Sequence, residues 1–391
     1  MITITNKIDC CGCSACEQSC PQSCISMQQD TQGFNYPVVD GDKCIDCHLC
    51  EKVCPVINQY EPKEAPLTCY LSKTTDEKIR AKSSSGGIFT EISKYVINQG
   101  GVVFGVRFNE KWLAEYDYTE AEDGLDAFRG SKYIQADVRG AFRKAQEFLK
   151  RGRLVLFSGT PCYIAGLNHY LKKSYPNLIT LDIVCHSIPS PRVWSLYIDE
   201  LKKKNKSKIK ELSFRNKRNG WTKYSIGILF SKNGQDTLFV EDHFCNIFSK
   251  GFAEDLFTRP SCSACPARNF KSHSDITIAD AWDINKYHPE KNDEKGISHV
   301  LINTQQGFNV YASCVSNLDS MEINYTEVEP KTMHLPITKS CKSHEYRKFF
   351  FYMINNGQSV IFSTQLLLGI SRLKRQIKSG VWYFIQKIRV I

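Results

Sequence analysis

No apolar run in this 391-residue sequence approaches the ~18 residues of a membrane span, which excludes a bundle of transmembrane helices. Met1 to Ile8 has no charged stretch followed by an apolar one, so no secretory leader is expected. Nothing joins clustered lysine and arginine to a nucleic-acid-binding motif, and nucleic acid is not an expected partner. Large apolar residues are scarce in residues 1–60, which leaves that part little from which to build a core of its own.

The rest of the composition is that of an ordinary globular chain, 42% apolar and 24% charged, long enough for two or three domains. The formal net charge is +10. Eighteen cysteines are present. Without a leader they point to metal or redox chemistry in a reducing compartment, and a cytoplasmic location is expected.

Eight of the cysteines form one pattern written twice. Cys10-x2-Cys13-x2-Cys16-x3-Cys20-Pro21 is followed by Cys44-x2-Cys47-x2-Cys50-x3-Cys54-Pro55. Three cysteines two residues apart wrap one corner of a 4Fe-4S cube, and the fourth ligand has to come from elsewhere. In two-cluster ferredoxins the cysteine before proline serves the other cluster. Cys10, Cys13, Cys16 and Cys54 are therefore assigned to one centre, and Cys44, Cys47, Cys50 and Cys20 to the other. Each cluster carries a charge of about −2, so two would bring the balance to roughly +6. That remainder suits an anionic cofactor or an acidic redox partner. Zinc is the alternative for Cys-x2-Cys pairs, but it does not need the x3-Cys-Pro ending. Cys11 and Cys24 are read as filler beside the sulfurs. With so small an apolar complement, the clusters themselves are expected to hold residues 1–60 together.

Residues 61–68 form a proline-broken linker. Beyond it the pattern alternates. A helix is expected from Ile88 to Gly100-Gly101, strands over Val102–Phe108 and Trp112–Thr119, and an amphipathic helix over 139–151. A strand from Arg153 to Phe157, a helix from Cys162 to Lys173, a strand from Asn177 to Val184 and a helix opened by Pro189 and Pro191 follow. This order argues for a largely parallel sheet with crossover helices, within an α/β fold that is α+β overall. Three short antiparallel strands are expected over 209–242, a helix over 243–257, and strands over Asp275–Ala279 and Gly296–Asn303. The expected domains are 1–60, a core in two parts (69–150 and 151–345), and a tail over 346–391. From Ser359 to Ile391 the tail reads as a basic amphipathic helix containing Arg372, Lys374, Arg375 and Lys378. Packing on the body or mediating an oligomer is the commoner role of such a helix, and lying on an anionic membrane the rarer one.

Several stretches carry candidate chemistry. Ser83-Ser84-Ser85-Gly86-Gly87 opens a helix and could meet a phosphate with free N–H groups, or simply cap the helix with serine. Arg129-Gly130-Ser131-Lys132-Tyr133 reads as a phosphate or flavin clamp, or a solvated turn. Ligands of parallel sheets sit beyond the carboxyl ends of strands, where Cys162 and Cys185 fall; a buried structural cysteine is the commoner single-residue reading. Cys262 and Cys265 form a third Cys-x2-Cys pair. Asp280 and Asp283 follow a strand and could hydrogen-bond a cofactor or be satisfied strand-end carboxylates. No acid or base is assigned; His186 is nearest, and a lone histidine at a strand end is more often structural.

Read in series, these stretches resemble the family of coenzyme F420 hydrogenase/dehydrogenase beta subunits, in the form with a fused two-cluster ferredoxin module. The resemblance rests on Asp30-x2-Gly33-Phe34-x2-Pro37, Ser84-Ser85-Gly86-Gly87, Arg129-Gly130-Ser131-Lys132-Tyr133, Phe157-Ser158-Gly159-Thr160-Pro161-Cys162 and Asp182-x2-Cys185-His186. It continues through Phe214-Arg215-x-Lys217, Gly220-Trp221, Asp275-Ile276-Thr277-Ile278-x-Asp280-x-Trp282 and Lys295-Gly296-x-Ser298, leaving the chain after about residue 345 uncovered. It implies a small two-cluster module followed by a larger mixed α/β flavin-binding domain. The implied activity is that of an iron–sulfur flavoprotein oxidoreductase. It would move a hydride between FAD (or FMN) and a small redox substrate such as coenzyme F420, and relay single electrons through 4Fe-4S clusters to an external electron-transfer protein. Carried over from the family, Ser85, Gly86 and Gly87 lie near the flavin phosphates, and Lys132, Tyr133, Ser158, Gly159 and Thr160 belong to the flavin site. Cys162, Cys185, Cys262 and Cys265 become candidate ligands of a third, flavin-adjacent cluster. The rival reading is a non-enzymatic, ferredoxin-like subunit of a larger redox complex.

Overall fold

The computed structural model of the chain describes residues 1–328 and 335–388, with the side chains of the last helix described as far as 377. The side chain of Lys378 and residues 389–391, part of the expected basic tail, lie outside the described residues.

The cysteine-rich module consists of α1 (Ala15–Ser19), a hairpin of β1 (Ile25–Gln29) and β2 (Asn35–Val39), and α2 (Leu49–Lys52). Ile25 stands opposite Val39 and Gln29 opposite Asn35. The Asp30 carboxylate closes the turn by accepting the N–H groups of Gln32 and Phe34, both at 3.0 Å. Gly33 has φ +85° and lies against Arg192 and Ser190 of the larger domain, where a side chain has no room. The module also has apolar residues packed on the larger domain, in addition to the clusters expected to hold it together. Phe34, Tyr36, Val53 and Ala15 are buried in one continuous cluster with Phe104, Phe157 and Ile164 of the main domain. Its few large apolar residues suffice because they are shared with a larger neighbour.

The linker is also fixed to the body, through Lys63 N–H to Asn269 O and Leu67 N–H to Ile302 O. The main domain then runs β3 (Thr68–Thr74), α3 (Glu77–Lys82), α4 (Ile88–Asn98), β4 (Val102–Phe108), β5 (Ala114–Thr119) and α5 (Ala141–Lys150). It continues with β6 (Val155–Gly159), α6 (Pro161–Leu171), β7 (Leu178–Ile183) and α7 (Pro191–Asn205). A separate antiparallel sheet follows, of β8 (Lys208–Asn216), β9 (Ser225–Lys232) and β10 (Gln235–Asp242). Then come α8 (Ile247–Ala253), β11 (Ile276–Asp280), α9 (Ile284–Tyr287), β12 (Ser298–Ile302), α10 (Gln305–Cys314), β13 (Leu318–Ile323), α11 (Arg347–Asn355) and α12 (Val360–Ile388). The helix expected over 243–257 is shorter, because Asn246 caps it and the chain turns out at Asp255 with φ +56°.

The main sheet has the order β13-β3-β12-β11-β7-β6-β4-β5. It is a mixed sheet, where the sequence suggested a largely parallel one. β11, β7, β6 and β4 are mutually parallel. β5 returns antiparallel on β4, and β12, β3 and β13 extend the other side by antiparallel pairing. The alternation of apolar residues fixes which face of a strand is buried but not its direction. Since β3 and β11 are both antiparallel to β12, five strands (β3, β4, β6, β7 and β11) end at one edge, the edge on which every candidate loop lies.

The last helix packs Val360, Leu367, Leu368 and Ser371 against the body and leaves Phe362, Leu366, Ile370, Leu373 and Ile377 exposed. Arg375 and Lys374 pair with Glu254 and Glu345. Among the described residues no helix is long and apolar enough to cross a membrane.

Candidate functional site

The twin cysteine motifs line two cavities. Cys10, Cys13, Cys16 and Cys54 surround the inner one, beside the main domain. Cys20, Cys44, Cys47 and Cys50 surround the outer one, where Cys47 is exposed. In both, three cysteines come from one motif and the fourth from the other. The Ile2 N–H points at the Cys50 sulfur at 3.3 Å. Cys24 stands with its sulfur 3.3 Å from that of Cys20, and Cys11 contacts the thiols of Cys13 and Cys162.

A third cavity lies at the carboxyl edge of the sheet. Cys162 reaches it from the first turn of α6, Cys185 from the loop after β7, and Cys262 and Cys265 from the turn after Pro260. A proline opens α6 and another opens the 260–264 turn, and each fixes the backbone direction where its segment begins. Burial raises the thiols of Cys262 and Cys265 and pushes that of Cys185 up to about 12, so binding any metal centre here expels protons. The Ile188 N–H points at the Cys262 sulfur at 3.3 Å. Arg268 lines the same cavity, donates to Cys185 O at 2.6 Å and His186 O at 2.9 Å, and leaves its buried Nε without a partner. Asp182 accepts from Ser272 Oγ at 2.6 Å and leaves Oδ1 unpartnered; burial raises its carboxyl to about 6. The donor set, four thiols with a guanidinium beside them, suits an anionic iron–sulfur centre. Among the described residues no three His, Cys, Asp or Glu side chains converge as a single bound metal ion requires.

The third and inner cavities are neighbours through α6. Cys162 lies in the first turn of this helix, and one turn on Gly166 packs against Cys13. His186 Nε2 lies 3.1 Å from an Asp255 carboxylate oxygen, with Ser187 Oγ on the same oxygen at 3.2 Å.

The candidate flavin residues divide into two groups. The serine loop and the 129–133 loop meet: Ser84 accepts the Ser131 N–H at 2.8 Å, and Arg215 links Ser84 O (3.3 Å) to the Tyr133 hydroxyl (3.2 Å). Ser158, Gly159 and Thr160 lie on the same edge but with three strands between β3 and β6. They touch Phe104, Tyr116 and Cys162 instead, with Ser158 Oγ donating to Phe104 O at 2.9 Å and Thr160 Oγ1 lying 3.3 Å from the Cys162 sulfur. The cap of α4 is Gly87, at φ +86°, and not a serine. Ser85 donates to Ile297 O at 2.7 Å, and a Cβ on Gly86 would stand 2.5 Å from Ser72 O. Lys132 Nζ donates to Ala127 O at 3.0 Å and Arg129 O at 2.9 Å, and burial lowers its pKa to about 7. The Ser85 and Ser158 hydroxyls are thus spent on the protein's own backbone. The buried Arg215 Nε and the Tyr116 hydroxyl remain without partners beside the two groups.

Asp280 is a satisfied strand-end carboxylate. It holds both nitrogens of Arg215 at 3.0 and 2.9 Å and accepts from Trp221 Nε1 at 3.0 Å. Arg268 and Tyr116 carry no local sequence signal; each matters through neighbours that the fold brings in.

Residues 69–142 and 152–328 match the family profiles "Coenzyme F420 hydrogenase/dehydrogenase, beta subunit" N-terminus and C-terminus, and residues 9–58 match a 4Fe-4S dicluster domain. One subunit of the F(420)H(2) dehydrogenase of Methanosarcina mazei is 27% identical over 167 residues, covering 39% of this chain and 46% of that protein. The chain therefore spans about half the length of that relative. A 7Fe ferredoxin of Hydrogenibacillus schlegelii is 35% identical over 65 residues, covering 16% of this chain and 77% of the ferredoxin. Among solved structures, a chain of the F420-reducing NiFe hydrogenase complex from Methanosarcina barkeri aligns with a TM-score of 0.46 at 15% identity, over 78% of this chain and 92% of that one.

Proposed function

Because the chain belongs to the family of coenzyme F420 hydrogenase/dehydrogenase beta subunits and carries a 4Fe-4S dicluster domain, we propose that it is an iron–sulfur flavoprotein oxidoreductase. Its substrate is a small redox cofactor of the deazaflavin class, such as coenzyme F420, and its second partner is an external electron-transfer protein. The observation that carries this reading is the third cavity: Cys162, Cys185, Cys262 and Cys265, far apart in sequence, line one space next to the inner ferredoxin site.

In this reading Cys10, Cys13, Cys16 and Cys54 hold the inner 4Fe-4S cluster, and Cys20, Cys44, Cys47 and Cys50 the outer one. Cys162, Cys185, Cys262 and Cys265 hold a third. A bound flavin supplies the exchange between two-electron hydride chemistry and the one-electron chemistry of clusters. Lys132, Tyr133 and the Ser85–Gly87 loop form its phosphate end, with Arg215 fixing the loop through Ser84 O; Ser158, Gly159 and Thr160 stand on the cluster side. Arg268 supplies positive charge to the third site. The exposed Cys47 marks where the external partner approaches.

One observation favours a second reading, a ferredoxin-like electron-transfer subunit without flavin: the serine hydroxyls and the Lys132 amine are already bonded within the protein. A substrate screen of anaerobically purified holoprotein separates the two. Reduced deazaflavin, nicotinamide cofactors and ferredoxin are added in turn while flavin absorbance is followed. Bleaching by a deazaflavin supports the oxidoreductase; cluster reduction by ferredoxin with no flavin signal supports the electron-transfer reading.

A further inference from the structure

Arg259 is 1% exposed. All three of its guanidinium nitrogens are used. Nε donates to Cys10 O at 2.9 Å, Nη1 to Gln135 Oε1 at 3.1 Å, and Nη2 to Asn35 O at 2.9 Å. Nη2 also points at the Cys10 sulfur at 3.6 Å. The guanidinium lies 4.4 Å from the Tyr36 ring centroid and 5.6 Å from that of Phe34. Gly12, at φ +73°, leaves the space it needs, since a Cβ there would stand 2.8 Å from Nη1.

A buried cation is costly unless an anion balances it. The oxygens that accept from the guanidinium belong to Cys10, Gln135 and Asn35, all uncharged, with no carboxylate among them. The anionic group available to Arg259 is thus whatever the cysteines of the inner site hold. Its backbone also ties that site to the third. Arg259 N–H donates to Ile188 O, and Arg259 O accepts from Cys262 N–H at 3.0 Å. The outer site has no counterpart among the described residues; its Cys50 sulfur receives the Ile2 N–H instead.

We infer that Arg259 is a positioning residue that raises the reduction potential of the inner ferredoxin centre, through a fixed buried charge and an N–H aimed at the Cys10 sulfur. The inference rests on the reading that Cys10, Cys13, Cys16 and Cys54 hold a 4Fe-4S cluster. Reduction adds negative charge to the cluster, and in a low-dielectric site an adjacent guanidinium stabilises the reduced form more than the oxidised one. Net charge and hydrogen bonds to sulfur are among the determinants of cluster potential. The residue thereby makes the inner centre an electron-accepting step between the third site and the outer centre.

The test is a redox titration of the holoprotein followed by EPR, on the unaltered chain, Arg259→Gln and Gln135→Glu. Gln135→Glu leaves the arginine in place and sets a carboxylate on Nη1, which cancels the charge with little change of shape. Iron and acid-labile sulfide are measured on each sample. The expected result is that both variants keep their iron and sulfide, and that one midpoint moves to a more negative potential while the others stay. Should Arg259→Gln lose iron, Gln135→Glu alone decides by the same criterion. Unmoved midpoints in a variant with full iron content overturn the inference. An unaltered chain without acid-labile sulfide overturns the cluster reading itself, and that outcome is seen before any potential is compared.

Discussion

Gly166 on α6 lies so close to Cys13 that a Cβ added to it would stand 2.8 Å from the cysteine Cβ and 2.9 Å from its sulfur. The helix that carries Cys162 in its first turn is thereby pressed onto the inner ferredoxin site. Alanine favours a helix over glycine by about 1 kcal/mol, so on propensity alone Gly166→Ala would stabilise α6. The steric contact reverses that sign. Gly166→Ala is expected to lower thermal stability and the iron content of the inner site, while Gly369→Ala on α12, where a Cβ meets nothing within 4 Å, lowers neither. Thermal melts and iron analysis of the two variants check this.

The third site has its own count. Cys262→Ala is expected to remove about four iron atoms per chain and leave the two ferredoxin centres in place. Iron analysis with EPR of the reduced protein reads both. An unchanged count excludes Cys262 as a required ligand.

Much of this architecture is legible in the sequence where the information is local. Cys10 to Cys16 encode a loop around one cluster corner by spacing alone, and Ile88, Ile92 and Val96 mark α4 by their period. What the sequence hides is long-range. Ser85 reads as an available hydroxyl until the fold brings Ile297 O to it, 212 residues away. Nothing local ties Arg259 to Cys10, 249 residues apart. β12 reads as a strand, yet its antiparallel direction depends on how 281–297 returns across the sheet edge. Glu77–Lys82 and Leu318–Ile323 pass unread because the one is a short helix and the other an edge strand with little buried surface.

The ion pair of Arg80 with Asp293 predicts an acid dependence. Arg80 is buried, grips the carboxylate at 2.6 and 2.5 Å and donates to Gly296 O at 2.8 Å, beside the serine loop. Partial burial raises the Asp293 carboxyl, but Arg80, the Lys295 N–H and Lys73 outweigh it and hold it well below the usual carboxylate range. A depressed carboxyl contributes stability that is complete above its unfolded pKa of about 3.9 and is lost as pH falls through the folded value. Asp293→Asn is expected to cost on the order of 1–2 kcal/mol at neutral pH, discounted for the exposure of the aspartate. It should also flatten the loss below about pH 4. Thermal melts from pH 3 to 7 measure both.

Lys132 predicts the opposite limb. Burial lowers its pKa to about 7, so the folded state favours the neutral amine. Its unfavourable effect on stability grows as pH falls from the unfolded value of about 10.4 to 7 and is constant below. Lys132→Met is expected to gain stability relative to the parent over that window. If the amine meets a flavin phosphate, flavin affinity of the parent weakens as pH rises through 7, and the variant loses that dependence. Flavin titrations at pH 6, 7 and 8 read the effect.

Cofactor analysis of the anaerobically purified chain decides whether it is an iron–sulfur flavoprotein with three clusters. Iron, zinc, acid-labile sulfide and released flavin are measured on one sample. The expected result is about twelve iron and twelve sulfide per chain, from three 4Fe-4S clusters, with one flavin. Zinc without sulfide, or iron and sulfide with no flavin released on denaturation, would contradict it.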